Sequence, residues 1–308
     1  MSGAYLRSFG RYVPERVVTN SEIAPQLGCD PDWILQMSGI RERRWAGASD
    51  TVAGLGVRAA QDCLARGGAE AREIGLLLVS SGSAERRFPG PAASVGAGLG
   101  LPGVPAIDLP MASAGSLFGL TLAAELCGRY RNVLVVGTEI MSRAIAVEPG
   151  TRDTAILFGD GAGACLVSAD TGFARITDSL LASDGAFTDA LRLELAGPIQ
   201  MNGQTVIMQA TRKVPRAISE LLQRNGKKAD EVAVYLMHQA NRNLIVRTAK
   251  SLGVPEDKCF MNVDRYGNTS SASMLIAAAE WWQEGAPAGP MVFAAFGAGF
   301  HWGAVLAE

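Results

Sequence analysis

Two stretches of the chain follow the same succession of polar and apolar positions. REIGLLLVSSGS (72 to 83) and DEVAVYLMHQAN (230 to 241) each begin with polar residues, continue as an apolar run and end on polar residues. A short continuous apolar run is typical of a strand that is buried on both faces. The pattern therefore predicts two buried strands whose segments begin 158 residues apart, at positions 72 and 230.

The similarity continues on both sides of these strands. Further pairs keep nearly the same offset, and they are Gly68 with Gly226, Glu73 with Glu231, AID (106 to 108) with NVD (262 to 264), and NVLVVG (132 to 137) with MVFAAFG (291 to 297). Self-similarity over this length indicates two related βαβ-type halves. Because strands of this kind need helices on both faces, two packed halves bury a helix layer between two sheets. We therefore predict an α/β protein with halves at 1–168 and 169–308.

Composition and charge exclude several classes of protein. The 308 residues are 48% hydrophobic, and 28 basic against 30 acidic residues leave a net charge of −2, which argues against a broad nucleic-acid surface. No apolar run approaches the roughly 20 residues that span a bilayer, and the N-terminus lacks the apolar core of a signal peptide. The five cysteines show no C-x-x-C spacing. We expect a cytoplasmic protein with reduced thiols, no metal site, and neither nucleic acid nor membrane as a partner.

Three polar residues follow predicted strands where α/β proteins collect their chemistry. Ser113 stands among small residues before the helix SLFGLTLAAEL, His238 directly follows VAVYLM, and Asn268 lies in a turn before another helix. Strand ends and the helix N-termini after them are the usual place for ligands in such sheets. The duplication therefore predicts that the three side chains meet where the halves pack. Taken singly, His238 also fits a core histidine and Asn268 a helix cap.

Two other chemistries fit the sequence less well. FGDGAGACLV (158 to 167) is rich in glycine, but it has no G-x-G-x-x-G pattern or Walker lysine and precedes a strand, which argues against a nucleotide site. Ser113 lies between alanines rather than in the G-x-S-x-G turn of esterases, and no acidic residue is placed beside His238. FGAGFHWGAVL (296 to 306) predicts a loop whose backbone N–H groups reach a bound carbonyl, with His301 in a structural role.

Several segments resemble the β-ketoacyl-acyl carrier protein synthase III enzymes of the thiolase superfamily. The resemblance covers nearly the whole chain in the family's order and spacing, through GRYVPERVVTNSEIA, SGIRERRWA, ILFGDGAGA, HQAN, GNTSSAS and FGAGFHWGAVL. It implies a homodimer with a thiolase-like, five-layered αβαβα fold of two duplicated halves. It also implies an acyltransferase without cofactor that condenses an acyl-CoA primer with malonyl-acyl carrier protein and releases carbon dioxide.

The resemblance assigns the catalytic roles to the same polar residues, with one departure. Ser113 stands where the family has the cysteine that takes the acyl group, while His238 and Asn268 match the pair that promotes malonyl decarboxylation. A thiol has a reference pKa of about 8.5, whereas a serine hydroxyl needs a base as it attacks. Three interpretations stay open. Ser113 is a natural variant that still condenses, or that transfers acyl groups without forming a carbon–carbon bond; it is an engineered replacement of cysteine; or the chain is an inactive or decarboxylating partner subunit.

The resemblance also implies the substrate contacts. They are Trp33 and Arg152 for the adenine of CoA, Asn241 for the pantetheine arm, Phe88 for the acyl pocket of the neighbouring subunit, and Ala298 for a backbone N–H in place of a glycine. Met37 stands where many relatives have an arginine that meets the CoA phosphates. This leaves open whether CoA or a carrier protein delivers the acyl group.

An acidic carrier protein needs local positive charge where it docks. Two predicted helices supply such charge through Arg212, Lys213 and Arg216 in ATRKVPR and through Arg242, Arg247 and Lys250 in NRNLIVRTAK. A charge run of this kind is also typical of a solvated helix face. We predict that these cations form the docking surface for acyl carrier protein.

Overall fold

The computed structural model describes residues 3–285 and 288–308. The strands are β1 (Tyr5–Tyr12), β2 (Val17–Thr19), β3 (Glu42–Arg44), β4 (Leu76–Ser80), β5 (Ala106–Leu109), β6 (Asn132–Ile140), β7 (Asp160–Ser168), β8 (Ala174–Ser183), β9 (Leu191–Arg192), β10 (Gln200–Met201), β11 (Val234–Met237), β12 (Met291–Gly297) and β13 (His301–Ala307). The helices are α1 (Asn20–Leu27), α2 (Pro31–Ser38), α3 (Val52–Arg66), α4 (Pro91–Gly98), α5 (Gly115–Tyr130), α6 (Arg152–Ala155), α7 (Gly203–Arg224), α8 (Arg242–Leu252), α9 (Val263–Tyr266) and α10 (Ser273–Gln283).

The large sheet contains the same strand arrangement twice. Its order in the described part of the chain is β11-β12-β13-β8-β1-β7-β6-β4-β5. In one half β4 pairs in parallel with β6, and β6 pairs antiparallel with β7; in the other half β11, β12 and β13 repeat these directions. The halves join at β1 and β8, which pair only through Tyr5 with Arg175 and Leu6 with Ala174.

The predicted repeat is visible residue by residue before the matched strands. Gly68 and Gly226 both adopt a left-handed backbone, with φ of 56° and 65°. A short 3-10 helix follows each of them, at Ala71–Glu73 and at Ala229–Glu231. Since β4 begins at position 76 and β11 at 234, the predicted offset of 158 residues holds in the structure.

Helices cover both faces of each half of the sheet. The helices α3 and α4 pack on one face of β4, β6 and β7, while α7 and α8 pack on one face of β11, β12 and β13. Between the halves, α5 and α10 share one hydrophobic core with the strands on both sides. This is the five-layered αβαβα order that the resemblance implies. Layers on both sides of β4 and β11 explain why those strands are buried along their whole length.

The repeat is interrupted where AID was matched with NVD. AID belongs to β5, but residues 262–264 form no strand. The segment before them makes a single bridge, between Cys259 and Tyr235, and a helix begins at Val263. The side chain of Gln239 replaces the missing strand contacts. Its Nε2 donates to the carbonyl of Phe260 at 3.1 Å, and its Oε1 accepts the N–H of Asn262 at 3.2 Å.

The described residues also bear on partners of other kinds. None of their helices is long and apolar enough to cross a membrane. No group of three or more His, Cys, Asp or Glu side chains in the same part of the chain is arranged to hold a metal ion. The boundary predicted between residues 168 and 169 falls in the loop between β7 and β8, and it stays a prediction.

Candidate active site

One cavity of about 500 Å³ contains all three polar residues that the sequence places at strand ends. Its lining includes Ser113 from the first half, and His238, Asn268 and Ser270 from the second. Ser113 and Asn268 are only 7% and 6% exposed. The structure therefore brings these side chains together at the packing surface of the two halves, in a mostly apolar pocket.

Ser113 lies in a strained turn immediately before α5. Its φ is +60°, and the N–H of Ala114 donates to the carbonyl of Ala112 at 2.6 Å, which closes a three-residue γ-turn. A γ-turn with a positive φ at its centre is rare and strained, and such residues collect at functional sites. Because α5 begins at Gly115, Ser113 lies at the positive end of that helix dipole.

The room for this turn comes from a glycine in the other half of the chain. The sequence has no glycine directly beside Ser113, but Gly297 at the end of β12 approaches the turn from across the pocket. A Cβ on Gly297 would lie 2.4 Å from the carbonyl oxygen of Ala112 and 3.0 Å from the Cβ of Ser113. The next residue, Ala298, lines the cavity, and its N–H makes no backbone hydrogen bond within the described residues.

His238 is a neutral hydrogen-bond donor. Burial lowers the pKa of His238 from 6.5 to about 4. Its Nδ1 lies 2.6 Å from the Oγ of Ser273, and that oxygen also accepts the N–H of Gln239 at 3.0 Å. Nδ1 is the one acceptor among the described residues for the Ser273 hydroxyl proton, so we assign the ring proton to Nε2.

Asn268 is held so that its NH2 group is the free end of the amide. Its Oδ1 accepts the N–H of Ser270 at 2.9 Å, whereas its Nδ2 bonds to none of the described residues. Nε2 of His238 is likewise without a partner in that part of the chain. Two N–H donors in one pocket can stabilise a developing enolate oxygen, and both donor groups are uncharged.

The Ser113 hydroxyl has no hydrogen-bonded base among the residues that the structure describes. The N–H of Ser113 donates to the Oγ of Ser270 at 3.0 Å, but its own Oγ bonds to neither His238 nor Asn268. A serine nucleophile needs a base as it attacks, and an imidazole with a pKa of about 4 is a weak one. Among the described residues the site therefore has both hydrogen-bond donors for an enolate, but no base bonded to the Ser113 hydroxyl.

The predicted substrate contacts lie in different surroundings. The guanidinium carbon of Arg152 is 5.2 Å from the centre of the Trp33 ring, so these two residues are neighbours, and Trp33 lines the cavity. Asn241 lines the cavity but also caps α8 and donates to the carbonyl of Met37 at 2.9 Å. Phe88 is 85% exposed and lies outside the cavity lining. The binding roles of these residues stay predictions.

The predicted docking cations divide into paired and exposed groups. Lys213 is bound to Asp184 at 2.8 Å and lies 3.9 Å from the centre of the Trp302 ring, and Arg242 pairs with Glu256 at 3.0 Å. The other four are exposed and have no ion pair within the described part of the chain, and they are Arg212, Arg216, Arg247 and Lys250. His301 lies outside the cavity lining, with its Nδ1 2.7 Å from the Oγ of Ser183, which agrees with a structural role.

Sequence reasoning missed Ser270 and Ser273 as site residues. Both belong to GNTSSAS, in which the pattern singled out only Asn268. The internal repeat carried a signal for one of them, because Ser270 lies 157 residues after Ser113, within the spread of the repeat offset. For Ser273 the sequence holds no comparable signal, since its contact with His238 depends on how α10 packs beside β11.

We predict that His238 titrates near pH 4 in the folded protein and near its ordinary pKa of 6.5 in the unfolded chain. Because the unfolded chain binds the proton first, the free energy of unfolding should fall as the pH drops from 6.5 toward 4. The chain has two histidines, so the H301Q variant leaves a single imidazole for an NMR titration with and without urea. A folded-state midpoint at or above 6.5 contradicts this prediction.

Comparisons with known proteins agree with the site and the fold. Models described as 3-oxoacyl-[acyl-carrier-protein] synthase III and its C-terminal part match residues 107–185 and 222–308. The beta-ketoacyl-[acyl-carrier-protein] synthase III of Oleidesulfovibrio alaskensis is 35% identical over 98% of both chains. The crystal structure of the Aquifex aeolicus 3-oxoacyl-[acyl-carrier-protein] synthase III has a TM-score of 0.95 at 33% identity, over 99% of this chain and 100% of that one.

A priming beta-ketosynthase of the R1128 polyketide pathway is also similar, with a TM-score of 0.92 at 30% identity over 99% of this chain and 96% of that one. The predictions of the family, the fold class and an acyltransferase are thereby confirmed. The chain belongs to the 3-oxoacyl-[acyl-carrier-protein] synthase III family of thiolase-fold acyltransferases.

Proposed function

We propose that this chain condenses an acyl-CoA primer with malonyl-acyl carrier protein in a decarboxylative Claisen reaction. The observation that carries this proposal is the shared cavity, in which Ser113 lies with the unpartnered N–H donors of His238 and Asn268. Relatives that are about a third identical over almost the whole chain bear the name of this synthase, which supports the same reaction here.

In the first half-reaction Ser113 takes the acyl group. Its Oγ attacks the thioester carbonyl carbon, the carbon–sulfur bond breaks, and the hydroxyl proton passes to the departing thiolate. We assign stabilisation of the oxyanion that forms to the N–H of Ala298, which lines the cavity, and to the dipole of α5. Because no described side chain is hydrogen-bonded to the hydroxyl as a base, we expect this loading step to be the slow one.

In the second half-reaction the donor pair acts on the malonyl thioester. Its carbonyl oxygen accepts hydrogen bonds from Nε2 of His238 and Nδ2 of Asn268, and loss of carbon dioxide leaves an enolate on that oxygen. The enolate carbon attacks the ester carbon on Ser113, and the serine oxygen leaves and takes a proton. The product is a 3-oxoacyl thioester with two more carbons. The apolar lining limits protonation of the enolate by water.

No cysteine of this chain is placed to replace Ser113 as the acyl acceptor. All five cysteines are free, and none lines the cavity. Burial raises the pKa of Cys63 and Cys259 to about 12, so neither thiol ionises readily. Free thiols are usual in reducing compartments, and we include a cytoplasmic location in the proposal.

A second candidate function is decarboxylation of malonyl thioesters without condensation. The observation that favours it is the contrast between the complete donor pair and a hydroxyl that has no bonded base in the described part of the chain. In that reaction the enolate carbon takes a proton from water, and the product is an acetyl thioester. The donors alone suffice, so the reaction does not require Ser113.

We predict that intact-protein mass shows an ester on Ser113 after incubation with acyl-CoA, and that a 3-oxoacyl product appears once malonyl-acyl carrier protein is added. Ser113→Cys should condense at least tenfold faster, because a thiolate forms more readily and a thioester gives up its acyl group more readily. Ser113→Ala should form neither ester nor condensation product but still release carbon dioxide.

Each outcome of this experiment separates the candidates. Carbon dioxide release without a 3-oxoacyl product in the unaltered protein refutes condensation and favours the decarboxylase. An ester that passes to an alcohol or amine with no gain of two carbons indicates acyl transfer alone. Asn268→Ala is the matched control, because it removes one donor and should slow decarboxylation while the ester on Ser113 still forms.

The proposed carrier-protein surface consists of the exposed cations next to the cavity. Arg212 follows Thr211, and Arg247 precedes Thr248, and both threonines line the cavity. Exposed, unneutralised cations attract the acidic carrier protein and mainly raise its rate of association. We therefore assign docking to these two residues with Arg216 and Lys250, rather than to Lys213 and Arg242, whose charges are already paired.

We predict that Arg247→Glu raises the KM for malonyl-acyl carrier protein roughly tenfold, because it reverses a charge that faces the partner. The KM for malonyl-CoA should rise much less, since CoA presents a far smaller acidic surface than a carrier protein. Arg72→Glu is the control, an exposed cation on the first half of the chain. Equal effects on both malonyl donors contradict the docking assignment.

A homodimer is supported by the exposed edge of the sheet. β5 is the last strand in the sheet order, and its residue Ile107 is 45% exposed. The loop that carries Phe88 leads into α4, where the N–H of Ala92 donates to the Oδ1 of Asp108 in β5 at 2.7 Å. An exposed apolar edge strand is a pairing surface, and an exposed phenylalanine beside it suits the cavity of a second copy.

We predict that the protein sediments as a dimer and that Ile107→Lys shifts it to the monomer, because two lysines would face each other across the paired edges. Val17→Lys is the matched control, since Val17 is 38% exposed and lies in a separate two-stranded sheet. Phe88→Ala should leave the dimer intact but change the preferred acyl chain. A dimer that survives Ile107→Lys contradicts this interface.

A further inference from the structure

Two strained serines touch each other at the bottom of the cavity. Ser113 and Ser270 have φ of 60° and 49°, and Arg131 is the one other non-glycine residue with a positive φ among those described. The N–H of Ser113 donates to the Oγ of Ser270 at 3.0 Å. Ser270 is 1% exposed and lines the cavity.

The two serines lie in similar places of the internal repeat. They are 157 residues apart, and each stands just before one of the two central helices, α5 and α10. The repeat therefore brings a strained turn of the second half directly against the turn that carries Ser113. This arrangement gives Ser270 no role in the reaction itself. It does explain why two strained turns meet at one point.

Ser270 is well placed to hold its neighbour because its own turn is anchored to both halves. Its N–H donates to the Oδ1 of Asn268 at 2.9 Å. The next residue, Ser271, donates from its N–H to Glu139 at 3.3 Å and from its Oγ to the carbonyl of Ser80 at 3.1 Å. The carbonyl of Ser271 accepts the hydroxyl of Ser116. Ser80, Ser116 and Glu139 all belong to the first half of the chain.

We propose that Ser270 is a positioning residue whose hydroxyl holds the backbone N–H of Ser113 and so keeps the nucleophile in its strained turn for acyl loading. This inference rests on the proposed function, because it concerns the loading of Ser113. A strained turn persists only where its surroundings hold it, and Ser270 supplies the one side-chain hydrogen bond from the described residues to positions 112–114.

Mutation can separate the two contacts of Ser270. The contact with Ser113 uses its hydroxyl, whereas the contact with Asn268 uses its backbone N–H. Ser270→Gly therefore removes only the first, and glycine adopts a positive φ without steric cost. Ser270→Thr keeps the hydroxyl but places a β-branched residue at a positive φ, which lowers stability.

The experiment measures the rate at which acyl-CoA esterifies Ser113, together with carbon dioxide release from malonyl-CoA and the midpoint of urea unfolding. Ser270→Gly should load Ser113 about tenfold more slowly and should slow decarboxylation by a smaller factor, while the loss of a buried hydrogen bond lowers the unfolding midpoint. Ser270→Thr should load at close to the original rate despite a lower midpoint. Ser8→Ala is the matched control, because it removes an equally buried, hydrogen-bonded hydroxyl that lies outside the cavity lining.

Loading by Ser270→Gly at the original rate, or faster, overturns the proposal. Equal losses of loading and decarboxylation also overturn it, because Ser270 would then act through Asn268. Hydrogen exchange at the Ser113 amide gives a second measurement that is independent of catalysis. Exchange should be faster in Ser270→Gly and unchanged in Ser8→Ala, and equal protection in all three proteins refutes the hydrogen bond.

Failure of the proposed function gives a different result. If no acyl-CoA esterifies Ser113 in the unaltered protein, the loading comparison is made in the Ser113→Cys background, where the thiol is more reactive. The amide-exchange comparison still decides whether Ser270 holds the N–H. Slower loading of Ser113→Cys after Ser270→Gly supports the positioning role, and equal loading refutes it.

Discussion

The structure depends on a close approach of backbone to backbone between its two halves. The turns before α5 and α10 meet at the cavity, and two glycines leave the space for them. A Cβ on Gly297 would lie 2.4 Å from the carbonyl oxygen of Ala112, and one on Gly137 would lie 2.5 Å from that of Ser271. A larger residue at either position would push the halves apart, and with them the nucleophile and the donor pair.

The site that forms there acts through neutral groups. His238 is uncharged because burial disfavours its charged form, and Asn268 contributes an amide rather than an acid. Neutral donors suit a reaction in which negative charge appears only transiently, because they need no counter-ion in a dry pocket. Among the described residues the hydroxyl of Ser113 has no hydrogen-bonded base. In the proposed mechanism serine therefore slows acyl loading and leaves decarboxylation to donors that do not involve it.

Duplication explains how one chain builds such a site. Each half ends a strand and begins a central helix at equivalent places, so residues far apart in sequence arrive at one point. Ser113 and Ser270 lie in the two turns before these helices, where the hydroxyl of Ser270 accepts the backbone N–H of Ser113. The strain that both share follows from the sharp turn that each half needs before its central helix.

The sequence by itself determined the layers, the repeat and the three polar residues at the strand ends. Apolar runs such as LLLVS and VYLM require burial on both faces, and this requirement is local enough to see in a single sequence. Motif order also sufficed for the family.

Only the tertiary structure decided which small residues serve the nucleophile. Gly297 and Ser270 contact the Ser113 turn although both are far from it in the chain. The ion pair between Lys213 and Asp184 was likewise not visible in the sequence. Such contacts depend on how whole helices pack across the layers. A local pattern of residues does not encode this packing.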